Sequence, residues 1–359
     1  MRKRQPRLGS QIKKSQVVFK GEIMFNVKKL GVAAALLLCA VGASASNFRG
    51  ADQVYVPAAG HTAGSSGTFI SDVFLSNLSD SNVSVSVIYS AGAGGTQTEF
   101  KNIIQLAPRE RKEFTDFFVS ALGLTGGFGQ LIFNGCVTGG NCSATNQDTN
   151  GFSPDFRDIA VFSRIYSIPP GTTLSQNPPT QGQDFSGIPW YHYVTSQQAA
   201  NGLDKVFITG IKQTGSTGQA GTYRSNIGIV NASQYSTTTI VVKLFNGATG
   251  AQIGSNFTQQ LSPLGHVQAN LSNMFPGFTG SNVYVTVEQT GSVSTGSDVP
   301  ASCGSEGCPG FLAYGSVLDN VSGDATTLEA VYLKALDSSA INAIYGGSGK
   351  PPLRRTVKH

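Results

Sequence analysis

Charge is scarce in this chain. Asp, Glu, Lys and Arg make up 13% of its 359 residues, against roughly 25% in ordinary globular proteins. Disorder usually combines high charge with low hydrophobicity, so at 40% hydrophobic the chain can bury a core. Sustained helical periodicity is missing as well, which argues against a bundle or a coiled coil. Two catalytic signatures are absent: the H-E-x-x-H pair of zinc peptidases and the G-x-S-x-G elbow of α/β-hydrolases. No pair of carboxylates stands out as a glycosidase pair. The reading of the residues is therefore a protein that is not an enzyme.

What basic charge there is sits at the ends. Residues 1–45 hold nine Lys/Arg and one acid, Glu22, which leaves 16 basic and 19 acidic residues, net −3, for the rest of a chain whose total is +5. Lys350, Arg354, Arg355 and Lys358 account for four of those 16. The body is mildly acidic and carries no basic stripe, so a nucleic-acid partner is not expected.

The front end reads as an export signal. Lys28 and Lys29 precede an apolar run from Val32 to Val41, and Ala43-Ser44-Ala45 is an A-x-A cleavage site. That run is shorter than the roughly 20 residues a membrane helix needs. A secreted product starting near Ser46 follows, extracellular, surface-bound or periplasmic, with no transmembrane helix after cleavage. Residues 1–23 read as upstream sequence ahead of a start at Met24, because Lys20-Gly21-Glu22 can be encoded by a purine-rich ribosome-binding site. Cys39 lies inside the apolar run behind Leu38, not behind the small residue a lipoprotein box requires.

Gly is abundant, 44 of 359, and Ser, Thr, Asn and Gln abound beside it. Short strands with many turns need that mixture. The strongest internal signal is a repeat. Gly67-Thr68-Phe69-Ile70-Ser71-Asp72-Val73-Phe74-Leu75-Ser76-Asn77 returns as Gly221-Thr222-Tyr223-Arg224-Ser225-Asn226-Ile227-Gly228-Ile229-Val230-Asn231. Around it, Gln53–Val56 matches Lys205–Ile208, Leu106-Ala107-Pro108 matches Leu261-Ser262-Pro263, and Thr115–Phe118 is matched with Ser272–Phe275. Leu131–Phe133 is matched with Val283–Val285, and Ala160–Ser163 with Ala313–Ser316. In Asn82–Tyr89, Val83, Val85, Val87 and Tyr89 alternate onto a core face, with Ser84 and Ser86 expected in solvent.

These patterns predict an all-β protein of two tandem antiparallel β-sandwiches, immunoglobulin-like or, alternatively, jelly roll. The expected bounds are a signal peptide at 24–45, repeat 1 at 46–190, repeat 2 at 191–345 and a disordered basic tail at 346–359. The Pro-, Gly- and Gln-rich stretch 168–189 marks the boundary.

Four cysteines remain after cleavage. Cys136 and Cys142 share one loop and Cys303 and Cys308 the matching loop. Local pairing is the simplest arrangement, and loops this small stabilise by only about 2 kcal/mol each. A four-thiolate zinc site is the competing reading, disfavoured by the spacing and by export. Asn146, Asp148 and Asn150, followed by Gly151, form the first half of a calcium loop. Position 12 is Arg157 instead of the bidentate Glu, so the half-loop offers calcium a single carboxylate, Asp148, and no other cofactor is indicated. Asp319–Asp324 reads as a hairpin turn, and His61 and His266 as surface residues. Trp190, Tyr191 and Tyr193 could stack on sugar rings or seal the junction between the repeats.

The repeated Gly-Thr-aromatic unit with Val54-Tyr55-Val56-Pro57 ahead of it resembles bacterial secreted proteins with tandem immunoglobulin-like repeats. The resemblance covers most of the mature chain, implies a β-sandwich fold and brings no catalytic residues with it. The functional expectation is a secreted structural, adhesion or surface-interaction protein with an extracellular protein or glycan partner. The alternatives are a carbohydrate-binding module and, behind it, a hydrolase.

Overall fold

The structure is a computed structural model and describes residues 50–64, 67–140, 155–176, 180–189, 194–195, 205–215, 218–234, 236–295 and 309–332. The expected signal segment and basic tail lie outside these residues. Strands make up 66% of the structure and helix 5%, so the protein is all-β.

Nine strands come first: β1 (Gln53–Gly64), β2 (Gly67–Asn77), β3 (Val83–Ala91), β4 (Thr96–Leu106), β5 (Arg111–Phe114), β6 (Gly127–Val137), β7 (Ile159–Ile168), β8 (Gln181–Ser186) and β9 (Ile188–Pro189). One helical turn, α1 (Phe117–Ser120), follows β5. Sheet A runs β5-β2-β7-β8 and sheet B runs β4-β3-β6-β1-β9, all antiparallel. The far end of β1 crosses over to pair with β2, so the two sheets join at that corner. Val73, Leu75 and Val161 of sheet A meet Val54, Val87, Leu131 and Phe133 of sheet B in a continuous core.

Ten strands follow: β10 (Val194–Thr195), β11 (Lys205–Gln213), β12 (Tyr223–Asn231), β13 (Ser236–Asn246), β14 (Gln252–Leu261), β15 (His266–Asn270), β16 (Gly280–Thr295), β17 (Pro309–Asp319), β18 (Ala325–Glu329) and β19 (Val331–Tyr332), with α2 (Leu271–Met274) after β15. Sheet C runs β15-β12-β17-β18, and β10 also pairs with β17. Sheet D runs β14-β13-β16-β11-β19. A second core lies between them, with Ile227, Ile229 and Ala313 against Val206, Ile240, Val242 and Val285.

Sheets A and C have one strand order, and so do sheets B and D. The register agrees residue by residue. Val54 pairs with Phe133 and Pro189, and Val206 pairs with Val287 and Tyr332. Ala51 bridges Ile159 where Val194 pairs with Phe311. Both first strands carry a bulge at the same place, Val56/Ala59 and Ile208/Ile211.

This register corrects three of the sequence matches. Leu75 pairs with Val161 and Ile229 with Ala313, so Ala313 corresponds to Val161, not to Ala160. A one-residue slip moves every side chain to the other face; Val161 and Ala313 both point into cores. Phe117, and not Phe114 as the match of Thr115 with Ser272 implies, is the counterpart of Leu271, and both are fully buried at the start of the helical turn. Leu131 corresponds to Val285 and not to Val283, a two-residue shift that keeps the face. The stretch 168–189 also holds two strands, β8 and β9, that complete the first sandwich.

The repeated motif is framework. Ser71 Oγ accepts from Gly60 N and donates to Gly60 O; Ser225 Oγ does the same with Lys212. These hydroxyls tie the inner strand of one sheet to the bulged strand of the other. Asn77 Nδ2 donates to Ala107 O, and its Oδ1 accepts from Ser79 N. Asn231 Nδ2 donates to Ser262 O, and its Oδ1 accepts from Ser233 N. Each Asn thus holds the Leu-x-Pro turn against its own strand end. Buried carbonyls need such partners, since an unmet one costs about 1–3 kcal/mol.

Valines 83, 85 and 87 line the first core as expected, with Tyr89 packed against it. Ser84 and Ser86, expected in solvent, are buried. Asn102, at φ 52° beside a bulge between β3 and β4, folds over them. Its backbone N donates to Ser86 Oγ, and Ser84 Oγ donates to its Oδ1.

Candidate interaction surfaces

The outward face of sheet B is covered by sheet C. Tyr55, Ile88 and Ile132 point away from the first core and pack with Val230, Ala232, Leu264 and Leu312 in a separate buried cluster. Tyr55 Oη donates to Ala232 O, while Ser90 Oγ and Gln130 Nε2 both donate to Leu264 O. The β3–β4 turn docks by its backbone: His266 N donates to Gly92 O and Ser262 N to Ala93 O. Approach is so close that a Cβ on Gly95 would sit 2.0 Å from Pro263 O. Edge strand β8 meets sheet C too, through Thr327 Oγ1 of β18 on Asp184 O and Ser316 Oγ of β17 on Gln183 Oε1.

His266 belongs to this junction, not to the surface. It is 3% exposed. Tyr314 Oη donates to Gln268 Oε1 and therefore accepts from His266 Nε2 at 3.1 Å, which fixes the proton on Nε2. The ring faces Phe128 of the first sandwich. Burial pushes its pKa down to about 4 and raises that of the Tyr314 hydroxyl. The position follows from tertiary packing, and nothing in the residues around His266 signals it.

Among the described residues two faces have no second sheet packed on them. On sheet A, Phe74, Ser76, Arg111, Ala160 and Phe162 line an open hollow of about 370 Å³. Phe74 and Phe162 are cross-strand partners with ring centroids 5.7 Å apart. The Arg111 guanidinium lies 5.1 Å from the Phe74 ring centroid, a cation–π arrangement. On sheet D, Phe245 stacks on Tyr284 with centroids 5.1 Å apart and planes at 11°, and Phe207 follows at 6.0 Å. Beside them Glu288 is clamped by Lys243 at 2.8 Å and Lys205 at 3.7 Å. All but Arg111 sit next in sequence to a core residue of their strand and so on the opposite face, and nothing in the sequence marks them as a site.

Titratable groups elsewhere serve structural bonds. Asp72 Oδ1 accepts from Asp116 N and Tyr166 Oη. Burial raises its pKa against those bonds, and raises that of Tyr166 in turn. His61 Nδ1 is 2.9 Å from Asp116 Oδ2. Among the described residues no hydroxyl bonds to the His61 ring. Asp319 Oδ1 accepts from Val321 N and Ser322 N in the β17–β18 turn, as the hairpin reading required; these bonds lower its pKa.

Trp190, Tyr191, Tyr193, Asn146, Asp148, Asn150, Cys142, Cys303 and Cys308 lie outside the described residues. Cys136 closes β6, is buried and is disulfide-bonded. Among the described residues no three His, Cys, Asp or Glu converge as a metal set, and no helix is long and apolar enough to cross a membrane.

No family model and no curated protein matches the chain. Among solved structures, the cryo-EM structure of broad bean stain virus aligns over 81% of this chain and 93% of that one, at 10% identity and a TM-score of 0.20. Red sea bream transglutaminase aligns over 82% and 32%, at 8% identity and a TM-score of 0.12. Scores this low bear on neither fold nor activity.

Proposed function

We propose that this is a secreted, non-enzymatic structural protein, a surface, matrix or adhesion component of a bacterium, built from a duplicated β-sandwich. The supporting observation is what the repeated stretch does with its polar residues. Ser71 and Ser225, and Asn77 and Asn231, spend their hydrogen-bonding capacity on the same backbone groups in both copies. Duplication here preserves a frame, and function has to be argued from a site grafted on it. The A-x-A signal and the mildly acidic body fit export. Within that reading, Cys136 pairs with Cys142 and Cys303 with Cys308, each pair tying down a long loop.

The test is fractionation of the native cells alongside an activity screen. The protein is expected in the surface or medium fraction, cleaved near Ser46, with no turnover of ester, glycoside or peptide substrates. Recovery from the cytoplasm, or turnover abolished by His61→Ala, overturns the reading.

A further inference from the structure

The junction between the sandwiches is heterologous: the outward face of sheet B meets the outward face of sheet C. The counterpart of B is D, and the counterpart of C is A. Each end of the molecule therefore presents one half of a contact that the molecule already makes internally. We propose that these proteins associate head to tail, sheet D of one copy docking on sheet A of the next with the geometry of the internal junction.

Register equivalence says which residues would meet. Leu264 has its counterpart in Arg109: both follow the Leu-x-Pro turn and both adopt left-handed backbone, φ 54° and 59°. Leu264 O is held by Ser90 and Gln130, whose counterparts are Phe245 and Tyr284. The same geometry brings the exposed Arg109 to the stacked Phe245–Tyr284 pair, a cation on an aromatic face. The hollow on sheet A is lined by the counterparts of junction residues: Ser76 for Val230, Arg111 for His266, Ala160 for Leu312 and Phe162 for Tyr314. Ala160 is smaller than Leu312, and Phe245 and Tyr284 on sheet D are larger than Ser90 and Gln130 on sheet B. The docking turn keeps its length, though Gly95 N closes on Gly92 O and Gly250 N on Asn246 O. Residues 91–95 correspond to 246–250; Gly95 and Gly250 share positive φ, 64° and 70°, and a Cβ on Gly250 would meet nothing within 4 Å.

The outer faces are more polar than the inner ones, with Lys243 for Ile88 and Thr286 for Ile132. The internal contact is also favoured by the tether between its halves. The contact between copies is accordingly weaker and depends on concentration. A heterologous contact does not stop at two copies unless it closes into a ring.

Sedimentation velocity on the purified protein tests this up to about 1 mM, where even a millimolar contact must show. Mass is expected to climb past a dimer as concentration rises. Two variants each block one end at exposed positions that carry no core packing: Ala248→Trp in the docking turn and Arg109→Glu in the turn ahead of β5, where Arg109 otherwise pairs with Asp80. Each alone should remain monomeric, and an equimolar mixture should stop at a dimer, because one good face survives on each partner. Circular dichroism checks that both variants are folded. A wild-type monomer at the highest concentration overturns the proposal. So does a dimer that neither variant affects, which places the contact elsewhere. A monomer retarded on polysaccharide gels, with the retardation lost in Phe245→Ser, assigns sheet D to a glycan and overturns it too.

Discussion

Sheets B and D share strand order, register and bulge, yet their outward faces are opposites. Sheet B presents Tyr55, Ile88 and Ile132 and is covered. Sheet D presents Phe207, Lys243 and Thr286 at the same positions, with Glu288 paired to two lysines. Their inward faces hardly differ: Val54 and Val206, Val56 and Ile208, Leu131 and Val285. A strand's inner residues are dictated by its own sandwich. Its outer residues are dictated by whatever lies beyond, so one frame can carry either an apolar junction or a polar, charge-paired face.

Exchanging the two faces breaks the comparison most severely. Ile88→Lys places at the junction the residue that sheet D carries there, with no Glu288 to pair it. An unpaired buried charge is expected to destabilise by on the order of 4 kcal/mol, read as a lower urea midpoint. The reverse exchange, Lys243→Ile, leaves Glu288 with Lys205 and should lose less than half as much.

Acid separates the faces next. The folded state holds His266 neutral, with its pKa pushed down to about 4, against 6.5 in the unfolded chain. Between these values the unfolded chain binds more protons, so stability rises with pH. It is complete above about pH 6.5 and falls, as the pH drops through 4, by about 3 kcal/mol in all. His266→Gln should flatten this part of the profile in urea titrations at stepped pH. At the corresponding position sheet A carries Arg111 instead of a histidine.

A matched pair of deletions sharpens the comparison. Asn77→Ala and Asn231→Ala remove matching bonds from matching turns, and each is expected to lose about 2 kcal/mol. Losses that differ by more than about 1 kcal/mol would show that the two copies no longer use the frame alike.

Legibility followed the same division. The alternation of Val83, Val85 and Val87 announced a core face because it is local, and the repeat exposed Ser71, Asn77 and their partners because it is written twice. Burial of Ser84 and Ser86 was not legible, since a bulge at Asn102 covers them. Nor was the one-residue offset at Val161 and Ala313: both strands are apolar enough to align either way, and only the pairing partners Leu75 and Ile229 decide between them. The hollow at Phe74, Arg111 and Phe162 needs three strands brought side by side, which no single segment encodes.

By itself, then, the sequence determined the strand content, the duplication and the inward faces, because side-chain period two and turn chemistry act over neighbouring residues. Tertiary structure alone decided which outward face is buried, where His266 sits and which two faces are left at the ends. Those outcomes depend on contacts between residues more than a hundred positions apart, such as Tyr55 with Ala232 and Ser90 with Leu264, and no local pattern records them.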